Sequence, residues 1–436
     1  MINIQEDYIM IESRELSRRS LLKTLPAGLI LPSLGGAASA ADDQTIKTKR
    51  VAAVVTHYTH NSHADVILTK ILEGWKHDGG PGPKLELVSM YLDQFPDGDM
   101  ARPMSKKHGV PIFDTIPDAI TLGTESIPVD GVISIGEHGD YPWNEKGQHL
   151  YPRYRFFSQI ADTFEQYGRV VPVFNDKHLS TVWVEGLQMY QRAKRLGIPL
   201  MAGSSIPVSY RKPAVSLPMG SDIEAIVGIG YSGLDVYGFH ALEFLQCFAE
   251  RRRGAEVGVE WVDCLQGDDI WKAVDDGTVS QELLDAALKV VPKDEGRDVR
   301  SLEGDDVALI LFQYRDGVLG AQFMLAGYAQ GNAVAVKAKG QSSIIATHAE
   351  ERAEPRYPHF AFLTKGIEQM MLWGQPVYPV ERTLLTGGIL DRALTTRFHG
   401  TGRIDTPKLA IKYDPVDYPY AQEMDLLDDE LFRPRG

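Results

Sequence analysis

Three short turns carry the side chains with the most chemistry in this sequence. The first follows the apolar run VAAVV and reads THYTHNSH, placing histidines at His57, His60 and His63. The second follows VDGVISIG and reads Glu137-His138-Gly139-Asp140. The third follows RVVPVF and reads Asn175-Asp176-Lys177-His178. Imidazoles and carboxylates converging on one crevice can ligate a divalent ion or hold the hydroxyls of a ligand. His57, Glu137, His138 and Asp176 are therefore a candidate metal group, although HxxHxxH in a turn matches no zinc spacing. His63 reads as a surface histidine at a helix start. Lys177 stands apart. A partly buried lysine beside a carboxylate and an imidazole can be tuned to move a proton at a ligand hydroxyl. The competing reading is a plain salt bridge to Asp176 or another acid.

A fourth group lies in GIGYSGLDVYGFHALEFL, where Asp235, Tyr237, His240 and Glu243 fall within nine residues. His240 and Glu243 are three apart and share a helix face. An imidazole beside a carboxylate is a general base with an orienting partner. A helix cap plus a satisfied core histidine would explain the same residues. Tyr58, Asp140, Asp235, Tyr237 and Glu243 are taken as candidate substrate contacts. His399, in FHGTG, reads as a loop histidine.

These residues need elements to position them. From about 48 to 213, near-continuous apolar strands alternate with amphipathic helices: RVAAVVTHY, SHADVILTKILEGW, LELVSMYL, VDGVISIGE, PRYRFFSQIADTFEQYG, RVVPVFND, TVWVEGLQMYQRAKRLG and IPLMAGS. That pattern means a parallel sheet covered on both faces, a Rossmann-like α/β domain, with ligands at the carboxyl ends of its strands. SIPVSYRKPAVSLP, 205–218, reads as a domain link. Strands with short turns follow, among them a hairpin at Asp316-Gly317, with a helix at VYGFHALEFLQCFAERRR and another at PVERTLLTGGILDRALTTR. This second part is an α+β domain: a mostly antiparallel sheet with helices on one face. The expected divisions are a leader at 1–40, the Rossmann-like domain at 41–213, the α+β domain at 214–402 and an acidic tail at 403–436.

With 436 residues, 43% hydrophobic and 24% charged, the chain has the composition of a globular protein of two or three domains. Its formal charge of −14 argues against nucleic acid or an anionic membrane as partner. Residues 1–40 balance four acids with four bases, so the remainder keeps that charge. SRRSLLK, 17–23, resembles a twin-arginine export signal, and Ala38-Ser39-Ala40 is a small-x-small cleavage site. The chain is thus expected to meet the twin-arginine export machinery and to work in the periplasm or otherwise outside a bacterial cytoplasm. No segment reads as a membrane span. Cys247 and Cys264 read as buried thiols, although an oxidising compartment permits a disulfide.

In their order and spacing, these parts resemble the glucose-fructose oxidoreductase and inositol dehydrogenase family, Gfo/Idh/MocA, over residues 48 to 400. DKHLS looks like that family's EKP motif, and GLDVYGFHALE like its Asp-x-Gly-x-His segment. The resemblance implies Lys177 as catalytic lysine, His240 as catalytic histidine, a carbohydrate or polyol substrate, and pairing of copies through the large sheet. The departures are concrete. The three glycines of a dinucleotide-binding turn are replaced by Thr56, Tyr58 and Asn61, and a Tyr58 side chain there would fill the space of a pyrophosphate. NAD(P) is therefore not expected. The preferred reading is acid/base elimination, isomerisation or hydrolysis, with metal assistance an option. One alternative is an NAD(P)-dependent sugar oxidoreductase with atypical contacts, in which Asp93 takes a ribose hydroxyl. The other is a non-catalytic sugar-binding protein.

Overall fold

The structure, a computed structural model, describes residues 47–422. The arginine pair and cleavage site lie outside the described residues. The first sheet is built from β1 (Lys49–Val55), β2 (Leu85–Leu92), β3 (Ile112–Phe113), β4 (Gly131–Ile135), β5 (Val173–Asp176) and β6 (Leu200–Gly203). Its order is β3-β2-β1-β4-β5-β6, and every pairing is parallel. The helices between them are α1 (His63–Glu73), α2 (Ala101–His108), α3 (Ile116–Thr121), α4 (Arg153–Tyr167) and α5 (Trp183–Leu196). The central strands β4, β5 and β6 are buried along their whole length, as a sheet covered on both faces requires. Local chemistry sets the helix ends. Ser62 caps α1 by accepting from the Asp65 N–H, and Thr115 caps α3 by accepting from the Asp118 N–H.

The second sheet comprises β7 (Tyr210–Lys212), β8 (Ile223–Gly230), β9 (Val259–Leu265), β10 (Val307–Tyr314), β11 (Leu319–Leu325), β12 (Asn332–Ala338), β13 (Ile345–Glu350) and β14 (Ile404–Asp405). Its order is β14-β9-β10-β11-β8-β12-β13-β7, antiparallel except where β11 meets β8. The Asp316-Gly317 hairpin joins β10 to β11 as expected. On one face lie α6 (Val236–Ala249) and α10 (Glu381–His399), sharing a core with Ile226, Ile310 and Val334. The other face packs Val227, Leu309 and Phe323 against α7 (Asp268–Asp275) and α8 (Gln281–Val290).

Residues 205–218 run from the first sheet to the second, with Ile206, Val208, Tyr210 and Leu217 buried and β7 paired with β13 at the sheet edge. Two features differ from the sequence reading, the first being that helices lie on both faces of the second sheet and not on one. The second is α9 (Pro358–Trp373), which the reading lacks and which packs on the first sheet, where Phe362, Ile367 and Met370 share a core with Val51, Ala53 and Ile133. A Cβ on Gly131 would lie 2.0 Å from Met371 Sδ, so a larger residue there would have to displace that side chain. Cys247 and Cys264 are both free thiols. No helix among the described residues is long and apolar enough to cross a membrane.

Candidate active site

A crevice of about 330 Å³ opens at the carboxyl ends of β4, β5 and β6, under the start of α6. The turns that reach it are held in an unusual way. Asn61 after β1, His138 after β4, Lys177 after β5 and Ser232 after β8 all have positive φ, at +61°, +67°, +62° and +62°. A non-glycine residue in the left-handed region costs on the order of 1 kcal/mol, and such strain collects at functional sites. Lys177 is kept there by its N–H, which donates to the Gly203 carbonyl at 3.1 Å.

Lys177, 3% exposed, donates to Glu137 Oε1 at 3.0 Å. The other Glu137 oxygen accepts from the buried Arg153 guanidinium. Burial raises the Glu137 carboxyl, but Lys177 and Arg153 outweigh it and hold it well below the usual carboxylate range. Asp176, one of the acids open to Lys177 on sequence, bonds His63 Nδ1 at 2.6 Å. His240 lines the crevice from α6, and its Nδ1 is 2.5 Å from Ser204 Oγ. Ser204 Oγ also accepts from the Ile206 N–H, so it fixes the ring from behind. Burial, with Lys177 and His63 nearby, pushes the His240 pKa well below its usual value and keeps the imidazole neutral. Glu243 sits one turn along, bonded to Thr386 at 2.9 Å, Thr383 at 3.1 Å and the Ser204 N–H at 3.3 Å. It supports the shell beneath His240 and does not line the crevice; burial raises its pKa.

The other expected site residues divide. Glu137, His138 and Tyr237 line the crevice with Lys177 and His240. Asp235 is buried at the start of α6, where it accepts the His149 N–H at 2.9 Å, and burial pushes its pKa up to about 7. Asp140 is exposed and pairs through its backbone with Gln94. His57 turns to Thr59 Oγ1 at 3.2 Å. His399 is exposed at the end of α10. His63, read as a surface residue, lines the crevice and contacts the His138 ring edge-on at 5.3 Å between centroids. The reading also missed Arg153, and Tyr231 with Glu351, whose side chains bond at 3.1 Å.

The metal group does not assemble. Among the described residues no three histidine, cysteine, aspartate or glutamate side chains are grouped to hold an ion. Glu137 is committed to two cations, Asp176 to His63, and His57 to Thr59, so the four proposed ligands do not converge.

Tyr58 corrects the reading further. Its side chain is fully buried and points under α1, where its hydroxyl bonds Thr69 Oγ1. It packs in the core with Val55 and Ile67 and does not stand across the mouth of the first βα unit.

No protein-family model matches the sequence, and no curated protein matches it. Solved structures do. GenD2 from gentamicin A biosynthesis, in complex with NAD, is 11% identical and superposes with a TM-score of 0.54, covering 83% of this chain and 97% of that one. This is the Gfo/Idh/MocA two-domain fold. Apo scyllo-inositol dehydrogenase from Lactobacillus casei matches at 11% identity and a TM-score of 0.52, covering 83% of this chain and 99% of its own. Myo-inositol dehydrogenase from Corynebacterium glutamicum matches at 14% and 0.50, covering 82% and 98%. The resemblance drawn from the motifs thus holds at the level of fold. The expectation against NAD(P) is overturned: the side chain said to block the diphosphate is buried elsewhere, and GenD2 holds NAD on the same fold.

Proposed function

We propose that the chain is an NAD(P)-dependent oxidoreductase of a carbohydrate or polyol, with Lys177 and His240 handling the hydroxyl proton. The carrying observation is the convergence of a buried, glutamate-paired lysine and a neutral, serine-anchored histidine on one crevice at the strand ends. Elimination, isomerisation or hydrolysis would be favoured by a blocked diphosphate path, and Tyr58, buried against Thr69, does not block it.

The residues present fit a dinucleotide. Arg356 lies beside the start of α1, bonded to Asn61 Oδ1 at 3.2 Å and ion-paired with Asp65 Oδ2 at 2.6 Å. Asp93, at the end of β2, accepts from Tyr91, Tyr141 and Arg155. A carboxylate has about four acceptor sites, so one remains for a ribose hydroxyl. His138 Nε2 and Asp176 Oδ1 are buried without a partner among the described residues. A nicotinamide cofactor, when bound, supplies the hydride acceptor. The rest is done by this chain. The Lys177 ammonium, held by Glu137, steadies negative charge growing on the substrate oxygen. His240, fixed through Nδ1, presents Nε2 to take the hydroxyl proton. Tyr237 and the Tyr231–Glu351 pair offer hydrogen bonds to further hydroxyls.

Export is part of this proposal. It is supported by SRRSLLK and Ala38-Ser39-Ala40. The test is titration of the purified protein with NAD and with NADP, followed by quenching of tryptophan fluorescence, then turnover assays with sugars and polyols. Saturable binding of one of them and cofactor reduction with at least one sugar or polyol are expected. Absence of binding to both would defeat the reading.

A further inference from the structure

The segment YPWNEKGQHLY, 141–151, has no role in the proton chemistry, yet it is built with care at the crevice mouth. Trp143 is 59% exposed and lines the crevice. Its ring stacks on His149, with centroids 4.2 Å apart and planes 17° from parallel. His149 in turn lies 4.0 Å from Tyr151, which meets Tyr141 edge-on at 5.8 Å. Four aromatic rings thus form a continuous ladder ending in an indole open to solvent.

The ladder is fixed in place. Trp143 and His149 face each other across a two-stranded bridge. Asn144 Oδ1 closes the turn between them by accepting the Lys146 and Gln148 N–H groups, each at 3.0 Å. Gln148 is buried and donates to Asp391 at 3.1 Å and to the Thr181 carbonyl, while Lys146 reaches Asp391 at 2.6 Å. The His149 N–H is held by Asp235, and its Nε2 bonds the Tyr141 carbonyl at 3.0 Å. An exposed tryptophan on a loose loop needs no explanation. One mounted on a hydrogen-bonded turn, backed by a second ring and lining a crevice of mixed apolar and hydrogen-bonding side chains, is a platform for a flat ligand with an apolar face.

We infer that Trp143 is a stacking platform for the apolar C–H face of a six-membered sugar or cyclitol ring. The inference rests on the polyhydroxy-substrate reading and narrows it, because an open-chain polyol presents no such face. A ring with equatorial hydroxyls directs its axial C–H bonds at the indole and its hydroxyls sideways. Acceptors and donors for those hydroxyls are Glu351, Tyr231 and Tyr237 in the same crevice.

The experiment is saturation-transfer NMR on the full-length protein with methyl β-D-glucopyranoside, myo-inositol and the open-chain sorbitol as probes. Transfer to the axial ring protons of the first two, exceeding that to sorbitol, is expected. Trp143→Ala should weaken their binding roughly tenfold, and Trp143→Phe should keep most of it. Transfer that survives Trp143→Ala unchanged, that favours sorbitol, or that is absent for both rings would overturn the inference. Cofactor titration is read separately. Ring binding without NAD(P) binding would sink the oxidoreductase reading and leave this one standing; the converse result would do the reverse.

Discussion

Lys177 occupies a backbone conformation that an ordinary salt-bridging lysine has no reason to adopt. The strain turns its amine away from Asp176, its sequence neighbour, and onto Glu137, 40 positions earlier. Glu137, ionised between Lys177 and Arg153, anchors the ammonium and is not itself a proton carrier. Lys177→Met should therefore lower kcat by about 10²- to 10⁴-fold with cofactor affinity little changed. Single-turnover kinetics beside a cofactor titration checks this, and an unaltered rate would reduce Lys177 to a structural ion pair. His240→Gln should lose activity on the same scale. The sequence named both residues, but it left the acid that pairs with Lys177 open between Asp176 and others. Adjacency along the chain says little about which oxygen a strand-end side chain meets.

At the scale of elements, the turn after β1 shows how a misleading inference arises. Counting positions put Tyr58 where a cofactor glycine belongs, and the count assumed its side chain faced the ligand. In fact the turn sends Tyr58 inward, where Thr69 and the core around Ile67 receive it. Tyr58→Phe should therefore cost only about 1 kcal/mol, because Thr69 Oγ1 keeps its 2.8 Å bond to Asp65. It should leave cofactor affinity unchanged, as denaturant unfolding and an NAD(P) titration would show; a large gain in affinity would restore the blocking role. Helix α9 was illegible for another reason. It is buried from Pro358 to Met371, so apolar and polar sides do not alternate along it and no amphipathic period marks it. Helix α8, also absent from the sequence reading, did carry a signal, with Ser280 capping and Leu283, Leu284 and Ala287 on one face.

For the whole molecule, the crevice imposes a pH cost. His138 is pushed down to about 4 by burial and by His63, and His359 to about 3 by burial and by Lys70. His178 and His240 are also driven well below their usual value by burial. The unfolded chain protonates these rings near pH 6.5 while the folded chain does not. Stability is therefore lost as pH falls from about 6.5 toward 4, by on the order of 3 kcal/mol for a ring such as His138. Asp235, raised to about 7 by burial, acts in the opposite sense, since its contribution is lost as pH rises through 7. Glu243 and Glu351, also raised by burial, act with Asp235, while His77, pushed down to about 4 by burial and by Lys70, joins the four imidazoles and leaves the balance on their side. The melting temperature should drop by several degrees between about pH 7 and about pH 4.5 in low-salt buffer. A flat profile would mean that these histidines are hydrated or charged in the folded protein.

The sequence by itself determined the two-sheet architecture, because unbroken apolar strands spaced by amphipathic helices admit only a covered parallel sheet, and closely spaced alternating runs an antiparallel one. It also placed polar groups at the carboxyl ends of the parallel strands, where this topology opens its crevice. Tertiary structure alone decided which of them meet. Glu137 took Lys177 and Arg153, His63 took Asp176, and a ladder of rings closed one side, because side-chain direction at a turn is set by the backbone dihedrals and by distant packing partners.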